Sequence, residues 1–324
     1  MRDWNALADR SIAGEPPGRE EALDVLRSPD AELLSLLEAA YRVRRHFHGN
    51  RVKIHVLENA MSGMCPEDCG FCSQSRVATG EIERYRLESR EEIVSAARKA
   101  KAAGAWKYCI VTSTRGPNEG QLDVICDAVR EIKRDVGIRV CTSLGILERA
   151  QALRLKEAGV DRFNHNLETS ARHFPEICST HTYEDRVRTL GYVREAGMES
   201  CCGGIVGMGE TDEDLADLAF ELRRHGVTSI PINFLDPRPG TPMAARPRVE
   251  PRYGLRVLTM VRFVNPSRDI RCAGGREVTF RALQPLVLYP CNSIFTNGYL
   301  TTGGNAEADD LRMIRDLGFE PLTE

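Results

Sequence analysis

Three closely spaced cysteines are the residues of this chain best suited to chemistry. Cys65, Cys69 and Cys72 form a CxxxCxxC run in one short loop that also contains Pro66 and Gly70. Three thiolates on one loop can hold a cuboidal iron–sulfur cluster and leave one of its irons without a protein ligand. A substrate or cofactor can bind at such an open iron, so the run predicts a redox-active metal site.

Two other uses of these cysteines fit the sequence less well. A structural zinc site takes four ligands in a closed tetrahedral shell, and no fourth Cys or His follows Cys72 at a suitable spacing. Disulfides are disfavoured because the cysteine count is odd, 11, and the first residues do not resemble a secretory signal. Residues 1–50 are rich in Arg and Glu and have amphipathic stretches, so we expect a cytoplasmic protein with reduced thiols.

The composition is that of an ordinary enzyme-sized protein. The chain has 324 residues, of which 42% are hydrophobic, and a formal net charge of -3. No apolar stretch approaches the roughly 20 residues that cross a bilayer, and the slight negative charge gives no footprint for nucleic acid. We therefore expect neither a membrane nor a nucleic acid among the partners.

An alternation of strand-like and helix-like segments must position the cysteine loop. Apolar or β-branched runs predict strands at 53–57, 108–113, 139–144, 162–167, 199–206, 229–235, 269–273 and 293–296. Helical periodicity predicts helices at 90–103, 121–135, 148–158, 183–196, 212–225, 253–264, 280–288 and 306–317. This alternation predicts the α/β class, a (β/α)8 TIM-type barrel with an N-terminal helical extension. A doubly wound open sheet is the alternative, but the first strand lacks a glycine-rich dinucleotide turn.

These predicted elements divide the chain into three regions. We expect an N-terminal helical extension over 1–50, the barrel over 51–317 and a C-terminal tail over 318–324. In the barrel, the cysteine loop follows the first strand and lies at the C-terminal mouth, where active sites of this fold are found. The predicted metal site is therefore part of an active site.

Further cysteines lie on the predicted strands. Alternation of side chains gives Cys109 and Cys141 equivalent positions, early in the second and third strands. Cys201 and Arg271 are each followed by a cysteine, so one member of each pair must point inward. If Cys201 and Arg271 are those members, three thiols and a guanidinium meet deep in the barrel. A single cysteine in a protein core usually serves only to fill space. Three cysteines at equivalent strand positions favour a role as ligands.

Polar side chains also lie on strands that should face the barrel interior. Asn164, Asn166 and Glu168 face one way on the fourth strand, and Asn233 interrupts an apolar run on the sixth. These groups need partners, which a polar ligand or water at a strand end would supply. Arg186, one turn into the next helix, offers a planar fork to a carboxylate, although alone it would be a solvated surface charge.

Five ordered segments carry a resemblance to a known family. They are 65–75 (CPEDCGFCSQS), 161–170 (DRFNHNLETS), 203–211 (GGIVGMGET), 229–233 (SIPIN) and 274–277 (GGRE). Together they resemble the biotin synthase family of radical S-adenosylmethionine (SAM) enzymes, over about residues 51–317. The resemblance implies a homodimeric barrel enzyme, a sulfurtransferase that inserts sulfur into dethiobiotin to give biotin.

The resemblance implies roles for residues at the mouth. Three cysteines would hold a [4Fe-4S] cluster whose open iron binds SAM: Cys65, Cys69 and Cys72. Reduction by a donor such as flavodoxin or ferredoxin would then cleave SAM to methionine and a 5′-deoxyadenosyl radical. Phe71 would lie by the adenine, Asn166 and Glu168 would hold the ribose, and Arg186 would pair with the methionine carboxylate. Glu168 stands where an Asp is the family expectation, and its longer arm should still reach the ribose.

The resemblance also assigns residues deeper in the barrel. Asn164 and Asn233 would bind the ureido ring of dethiobiotin, with Thr301 and Thr302 near its carboxylate tail. An auxiliary [2Fe-2S] cluster, the proposed sulfur donor, would be held by four residues: Cys109, Cys141, Cys201 and Arg271. The chain departs from the family pattern at Cys202, where Ser is expected, and at Cys272. Both should face the helices, unless a register shift brings one inward as a ligand of a larger auxiliary cluster.

Two other functions remain open. A hydrogenase maturase or another radical enzyme would share the first cluster but would not need thiols on strands two, three and five. A non-catalytic iron–sulfur module would not need the polar face that ends at Glu168. The remaining cysteines match no ligand position and are expected to be structural: Cys126, Cys178 and Cys291.

Overall fold

The computed structural model describes residues 2–63, 65–301 and 303–322, which fold as a closed parallel barrel surrounded by helices. The barrel strands are β1 (Arg51–Met61), β2 (Lys107–Thr112), β3 (Arg139–Ser143), β4 (Arg162–Asn164), β5 (Glu199–Cys201), β6 (Gly204–Val206), β7 (Ser229–Phe234), β8 (Asp269–Cys272) and β9 (Ser293–Phe295). Neighbouring strands are parallel, and β9 pairs with β1 to close the barrel. The predicted (β/α)8 TIM-type fold is confirmed.

Helices cover the outside of the barrel. In chain order they are α1 (Trp4–Ile12), α2 (Arg19–Leu26), α3 (Leu33–His48), α4 (Arg90–Ala102), α5 (Glu119–Glu131), α6 (Arg149–Ala158), α7 (Tyr183–Glu195), α8 (Asp212–Arg224), α9 (Pro251–Val264), α10 (Arg276–Phe280) and α11 (Glu307–Asp316). Several begin with a side-chain cap, as at Ser89, Asn118, Thr182 and Thr211, which accepts a hydrogen bond from an amide of the first turn. These caps fix where each loop at the mouth ends and its helix begins.

The N-terminal helices pack on the barrel helices α8 and α9. Arg44 of α3 is buried, and it donates hydrogen bonds to the carbonyl oxygens of Cys291 at 3.2 Å and Arg51 at 2.9 Å. Its guanidinium also lies 4.4 Å from the ring centroid of Phe319. Near this ring a last strand, β10 (Glu320–Leu322), pairs with the start of β1. Arg44 therefore ties α3 to the N-terminal end of β1 and to the segment before β9.

The strand and helix boundaries differ from the predictions at several places, and β1 extends beyond the predicted 53–57 in both directions. The predicted fifth strand is two short strands, β5 and β6, which both pair with β7. The break has a steric reason, because a Cβ on Gly203 would lie 1.7 Å from the carbonyl oxygen of Pro231. The fourth strand is shorter than predicted, and Arg281–Leu288 forms a 3-10 helix that contains Pro285, which has no amide hydrogen to donate.

Candidate functional site

A cavity of about 310 Å³ opens at the C-terminal mouth and reaches into the barrel. Most residues predicted to form the site line it: Cys65, Cys69, Phe71, Cys72, Cys109, Cys141, Asn164, Asn166, Glu168, Arg186, Cys201, Asn233, Arg271 and Thr301. Thr302, predicted to lie near the substrate tail, falls outside the described residues. The fold thus brings together residues that are up to 236 positions apart, from Cys65 to Thr301.

The cysteine loop is held in place by the segment that precedes α7. The Asp68 carboxylate accepts hydrogen bonds from the amides of Ser179 at 2.9 Å and Thr180 at 3.2 Å. The amide of Gly70 donates to the carbonyl oxygen of Ile177 at 2.9 Å. These contacts lie on both sides of Cys69, so the orientation of the loop over the cavity is fixed by the Asp68 side chain and by the main chain at Gly70.

The three thiols of this loop fit a cationic metal centre. Burial raises the pKa of Cys65, and burial raises the pKa of Cys72 to about 11. Thiols in such surroundings stay protonated unless a cation offsets their charge, and iron would supply it. All three line the same cavity, which leaves room on its other side for a ligand of an open iron.

Arg186 of α7 forms the wall of the cavity next to this loop. It is buried, and its Nε donates to Nε2 of His181 at 3.0 Å while its Nη1 donates to the carbonyl oxygen of Asn166 at 2.8 Å. Nη1 also lies 3.5 Å from Oε1 of Glu168. Burial raises the pKa of Glu168, although Arg186 opposes the change. A buried guanidinium held from three sides can present its planar fork to a carboxylate.

Glu168 has an unusual backbone conformation. Its φ is +68°, in the left-handed region that non-glycine residues seldom adopt. The conformation is fixed by β6, because the Glu168 amide donates to Gly203 at 3.1 Å and its carbonyl accepts from Ile205 at 2.8 Å. Gly204 permits this approach, since a Cβ there would lie 2.4 Å from the Glu168 carbonyl oxygen. Strained residues of this kind cluster at binding sites.

The thiols predicted for the second metal site are in contact. Cys109 and Cys141 are partners in the register of β2 and β3. The proximity of Cys109 raises the pKa of Cys141 to about 12, and the proximity of Cys141 raises the pKa of Cys201 well above the usual value. Nη1 of Arg271 lies 4.0 Å from the Cys201 sulfur. These four side chains are buried at the inner end of the cavity.

Asn164 and Arg271 complete the surroundings of Cys201. Nδ2 of Asn164 lies 3.3 Å from the Cys201 sulfur. Nη2 of Arg271 is 3.1 Å from Nε2 of His55 and donates to the hydroxyl of Ser229 at 3.2 Å. Nε of Arg271 is buried and has no hydrogen-bond partner within the part of the chain that the structure describes. This unpaired N–H group is available to donate a hydrogen bond to a ligand that carries acceptor atoms.

Beneath the thiols lies a layer of charged side chains that the sequence analysis did not predict, and we call this layer the floor of the cavity. Lys53 and Arg162 contact the Asp269 carboxylate at 3.3 and 3.4 Å. Lys107 and Arg162 contact Glu199 at 3.3 and 2.8 Å. With Arg271, four cations face two carboxylates, and this surplus of positive charge fits thiolates and a cluster above it.

The floor could have been found by extending the strand alternation. Lys107, Arg162, Glu199 and Asp269 each lie two residues before an inward-facing residue of the site. Side chains two apart point to the same face of a strand. A charged residue at the start of four strands, in phase with Cys109 and its equivalents, is therefore a signal of an ionic layer, in which Arg162 and Asp269 are buried and Glu199 is half exposed.

The predicted substrate residues lie nearer the mouth. Nδ2 of Asn233 donates to the Gly204 carbonyl at 3.2 Å, and its Oδ1 accepts from the Gly274 amide at 2.9 Å. The Thr301 hydroxyl lies 2.9 Å from that of Ser73. Asn233 is thus rigid, while Thr301 links the cysteine loop to the segment after β9.

The other cysteines fall into two groups. Cys202 and Cys272 pack in the hydrophobic core between the barrel and the helices, as strand parity predicts. Cys126 and Cys291 are also buried, and the Cys126 thiol donates to the carbonyl of Arg154 at 3.9 Å. Cys178 differs, because its sulfur lies 3.7 Å from the sulfur of Cys69.

Comparison with known proteins agrees with this geometry. The sequence profile of the Radical SAM superfamily matches residues 60–222, and that of the Biotin and Thiamin Synthesis associated domain matches residues 231–320. The biotin synthase of Salinibacter ruber is 52% identical over 322 residues, which cover 99% of this chain and 90% of that protein. The chain belongs to the biotin synthase family. The biotin synthase of Bacillus subtilis is 48% identical over 320 residues, covering 99% of this chain and 96% of that protein.

Solved structures of other enzymes share the fold. Methylornithine synthase (PylB) has a TM-score of 0.86 at 20% identity and covers 98% of this chain and 97% of its own. The FeFe-hydrogenase maturase HydG from Carboxydothermus hydrogenoformans has a TM-score of 0.83 at 18% identity, covering 99% of this chain and 79% of its own. At these identities the likeness concerns the barrel fold alone.

Membership of the biotin synthase family has direct consequences. The chain is a radical SAM enzyme of biotin biosynthesis, and the family implies a [4Fe-4S] cluster and SAM as its cofactors. Among the described residues, no helix combines the length and the apolar character needed to cross a membrane.

Proposed function

We propose that the chain converts dethiobiotin to biotin by sulfur insertion, as a sulfurtransferase. The sulfur would come from an auxiliary [2Fe-2S] cluster held by Cys109, Cys141, Cys201 and Arg271. The observation that carries the proposal is the contact of three buried thiols and a guanidinium at the inner end of the cavity, above a floor with surplus positive charge.

The residues at the mouth would bind and orient SAM. When bound, the [4Fe-4S] cluster on Cys65, Cys69 and Cys72 would supply the electron that releases a 5′-deoxyadenosyl radical. Arg186 would hold the methionine carboxylate, because its guanidinium is buried and already fixed by His181 and by Asn166. Three further side chains of the cavity would hold the nucleoside part: Phe71 at the adenine, and Asn166 and Glu168 at the ribose.

Dethiobiotin would lie between this layer and the thiols. Asn164 and Asn233 would hydrogen bond its ureido ring, and Thr301 and Thr302 would lie near its carboxylate tail. Asn164 is well suited, because the same amide group lies 3.3 Å from the Cys201 sulfur. A substrate held by Asn164 would therefore have its carbons close to the sulfur source.

The depth of the thiols supports a radical reaction. Cys109, Cys141 and Cys201 are 5%, 2% and 1% exposed. A carbon radical formed in such a place meets its sulfur partner at short range, and water has little access. What the chain contributes is thus orientation and exclusion of solvent.

The four-residue ligand set is preferred over a larger auxiliary cluster. Cys202 and Cys272, the candidates for an extra ligand, pack in the core behind the strands. Arg271 remains an unusual ligand because a guanidinium is protonated at ordinary pH. Its contacts with His55 and Ser229 hold it in place whichever cluster is present.

Several further properties are proposed with this function. The enzyme would act as a homodimer in the cytoplasm and would receive electrons from flavodoxin or ferredoxin. It would comprise an N-terminal extension over 1–50, the catalytic barrel over 51–317 and a tail over 318–324. These proposals are supported by the family resemblance.

Iron and sulfide counts on a matched pair of variants test the auxiliary cluster. After anaerobic reconstitution, Cys109→Ala should lose part of its iron, whereas Cys126→Ala, a buried cysteine outside the cavity, should match the parent. Cys109→Ala should still cleave SAM to 5′-deoxyadenosine but should form no biotin. Unchanged iron in Cys109→Ala would refute the proposal, and SAM cleavage without biotin in the parent would favour a maturase-like reaction.

A further inference from the structure

The cysteine loop contacts a fourth thiol that the proposed function does not use. Cys178 is buried, and its sulfur lies 3.7 Å from the sulfur of Cys69, one of the three residues assigned to the [4Fe-4S] cluster. Both residues are free thiols. Cys69 lines the cavity, whereas Cys178 is not part of its lining. A cluster at the mouth would occupy the Cys69 sulfur, so the pair can react together only when the cluster is absent.

The two chain segments are tied together on both sides of this pair. On one side, the Gly70 amide donates to the carbonyl oxygen of Ile177 at 2.9 Å. On the other side, the Asp68 carboxylate accepts a hydrogen bond from the amide of Ser179 at 2.9 Å. These four residues are the immediate neighbours of the two cysteines, and the segments run antiparallel. The hydrogen bonds therefore hold the cysteines opposite each other before any covalent bond joins them.

The sulfur atoms need little movement to form a disulfide. A disulfide places its sulfurs about 2.05 Å apart, and it fails to form where the two backbones are too far apart or the side chains diverge. From the observed 3.7 Å, each sulfur must move by about 0.8 Å. Rotation about the side-chain bonds can supply this movement, because the backbone segments are already held together.

We propose that Cys69 and Cys178 form a disulfide when hydrogen peroxide oxidises the chain that has lost its [4Fe-4S] cluster. Peroxide enters through the cavity and transfers one oxygen to the Cys69 thiol, which becomes a sulfenic acid while one water leaves. The Cys178 thiol then attacks the sulfenic sulfur. The S–S bond forms, and the hydroxyl group leaves with the thiol proton as a second water. Two thiols are oxidised by two electrons in total, and the peroxide is reduced to water.

The disulfide makes the loss of the cluster reversible only by reduction. A Cys69 sulfur bonded to Cys178 cannot bind iron, so the loop stays without a cluster until a reductant opens the bond. The same bond protects Cys69 from further oxidation to sulfinic acid, which is irreversible for most cysteines. The proposal rests on the [4Fe-4S] cluster of the proposed function only for these consequences, and it does not depend on sulfur insertion.

Peptide mapping of the full-length, cluster-free protein tests the bond. The protein is treated with hydrogen peroxide, its remaining thiols are alkylated, and the unreduced digest is analysed by mass spectrometry. The wild type should lose two thiols and give a peptide that links Cys69 to Cys178, and reduction should restore both thiols. Cys65→Ser, which changes another thiol of the same loop, should still form the link, whereas Cys178→Ser should not. Circular dichroism checks that each variant is folded.

A different oxidation product in the wild type would overturn the proposal. One such product is a bond within the loop, from Cys69 to Cys65 or to Cys72, with Cys178 still free. Another is sulfinic acid at Cys69 with no linked peptide. Neither result requires an activity assay, so a failure here is distinct from a failure of the proposed biotin chemistry.

Cluster assembly tests the consequence of the bond. Peroxide-treated wild type should assemble its [4Fe-4S] cluster at least severalfold more slowly than untreated protein when no dithiol is added, measured by the rise of the visible absorbance. Reduction with a phosphine that is then removed should restore the original rate. Equal rates before and after oxidation, or a loss that the phosphine does not reverse, would contradict a disulfide that withholds Cys69.

Discussion

Arg186 shows how neighbouring residues assign a role to a single side chain. Its sequence position, one turn into α7, is that of an ordinary surface cation. In the fold it is buried, and His181 and Glu168 hold it at the cavity wall. Burial removes competing water, so a carboxylate that reaches this guanidinium gains a strong, directional contact.

Arg186→Lys tests this role. Lysine keeps the charge but loses the planar fork, so the Kd for SAM should rise by about tenfold or more. Titration calorimetry on the reconstituted protein measures the change. Arg188→Lys is the control, because Arg188 lies on the same helix and is exposed. Similar Kd values for the two variants would show that Arg186 does not touch the cofactor.

Glu88 makes stability depend on pH. Burial, together with the nearby carboxylates of Glu58 and Glu92, raises the pKa of Glu88 to about 7 from the ordinary 4.5. Between these two values the folded chain keeps a proton that the unfolded chain releases, so stability falls as pH rises. The loss of folding stability caused by Glu88 reaches its full value above about pH 7.

Glu88→Gln should therefore raise Tm at pH 8 and lose this advantage near pH 4.5. Differential scanning across this range measures the difference from the parent. Glu91→Gln provides the control, since the Glu91 carboxylate is exposed and its own hydrogen bonds and Arg90 lower its pKa. The prediction is wrong if the Glu88→Gln difference is independent of pH.

At the scale of elements, the break between β5 and β6 positions both layers of the site. Cys201 ends β5 among the thiols, and Gly204 begins β6 beside Glu168. Gly203 and Gly204 let the chain pass close to β7 and to the strained Glu168. An unbroken strand would carry its side chains in strict alternation and would not allow this approach.

Gly203→Ala should disturb this element strongly. The new Cβ would meet the Pro231 carbonyl, which belongs to the backbone of β7 and cannot rotate away. We expect a loss of at least about 3 kcal/mol in unfolding free energy, or no folded protein. Gly191→Ala in α7, where the new Cβ has open space, should instead add about 0.5–1 kcal/mol. Denaturant unfolding of both proteins distinguishes the steric effect from a general intolerance to alanine.

Regular elements could be predicted from the sequence better than loops could. Strand alternation gives Cys109 and Cys141 equivalent positions and requires that one of Cys201 and Cys202 points inward, because a side chain's face follows from its position in a strand. Cys178 lies in a connection with no such period, and its contact with Cys69 arises from tertiary packing. The break in the fifth strand also depends on a tertiary contact, the close approach of Pro231.

On the scale of the whole molecule, charged side chains gather at one end of the barrel and the cavity opens at the other. The floor of Lys53, Lys107 and Arg162 lies at the end where the strands begin. The thiols lie above this floor and the cysteine loop lies at the mouth. This order places the sulfur source where the protein can offset negative charge, and the radical source where the cofactor can enter.

The origin of the inserted sulfur tests this arrangement most directly. Protein reconstituted with ³⁴S-sulfide should be freed of excess sulfide and allowed a single turnover with dethiobiotin and SAM in unlabelled buffer. Mass spectrometry of the product should find biotin that carries ³⁴S, and Cys109→Ala prepared in the same way should give none. Biotin with unlabelled sulfur from the wild type would contradict a sulfur source held by Cys109, Cys141 and Cys201.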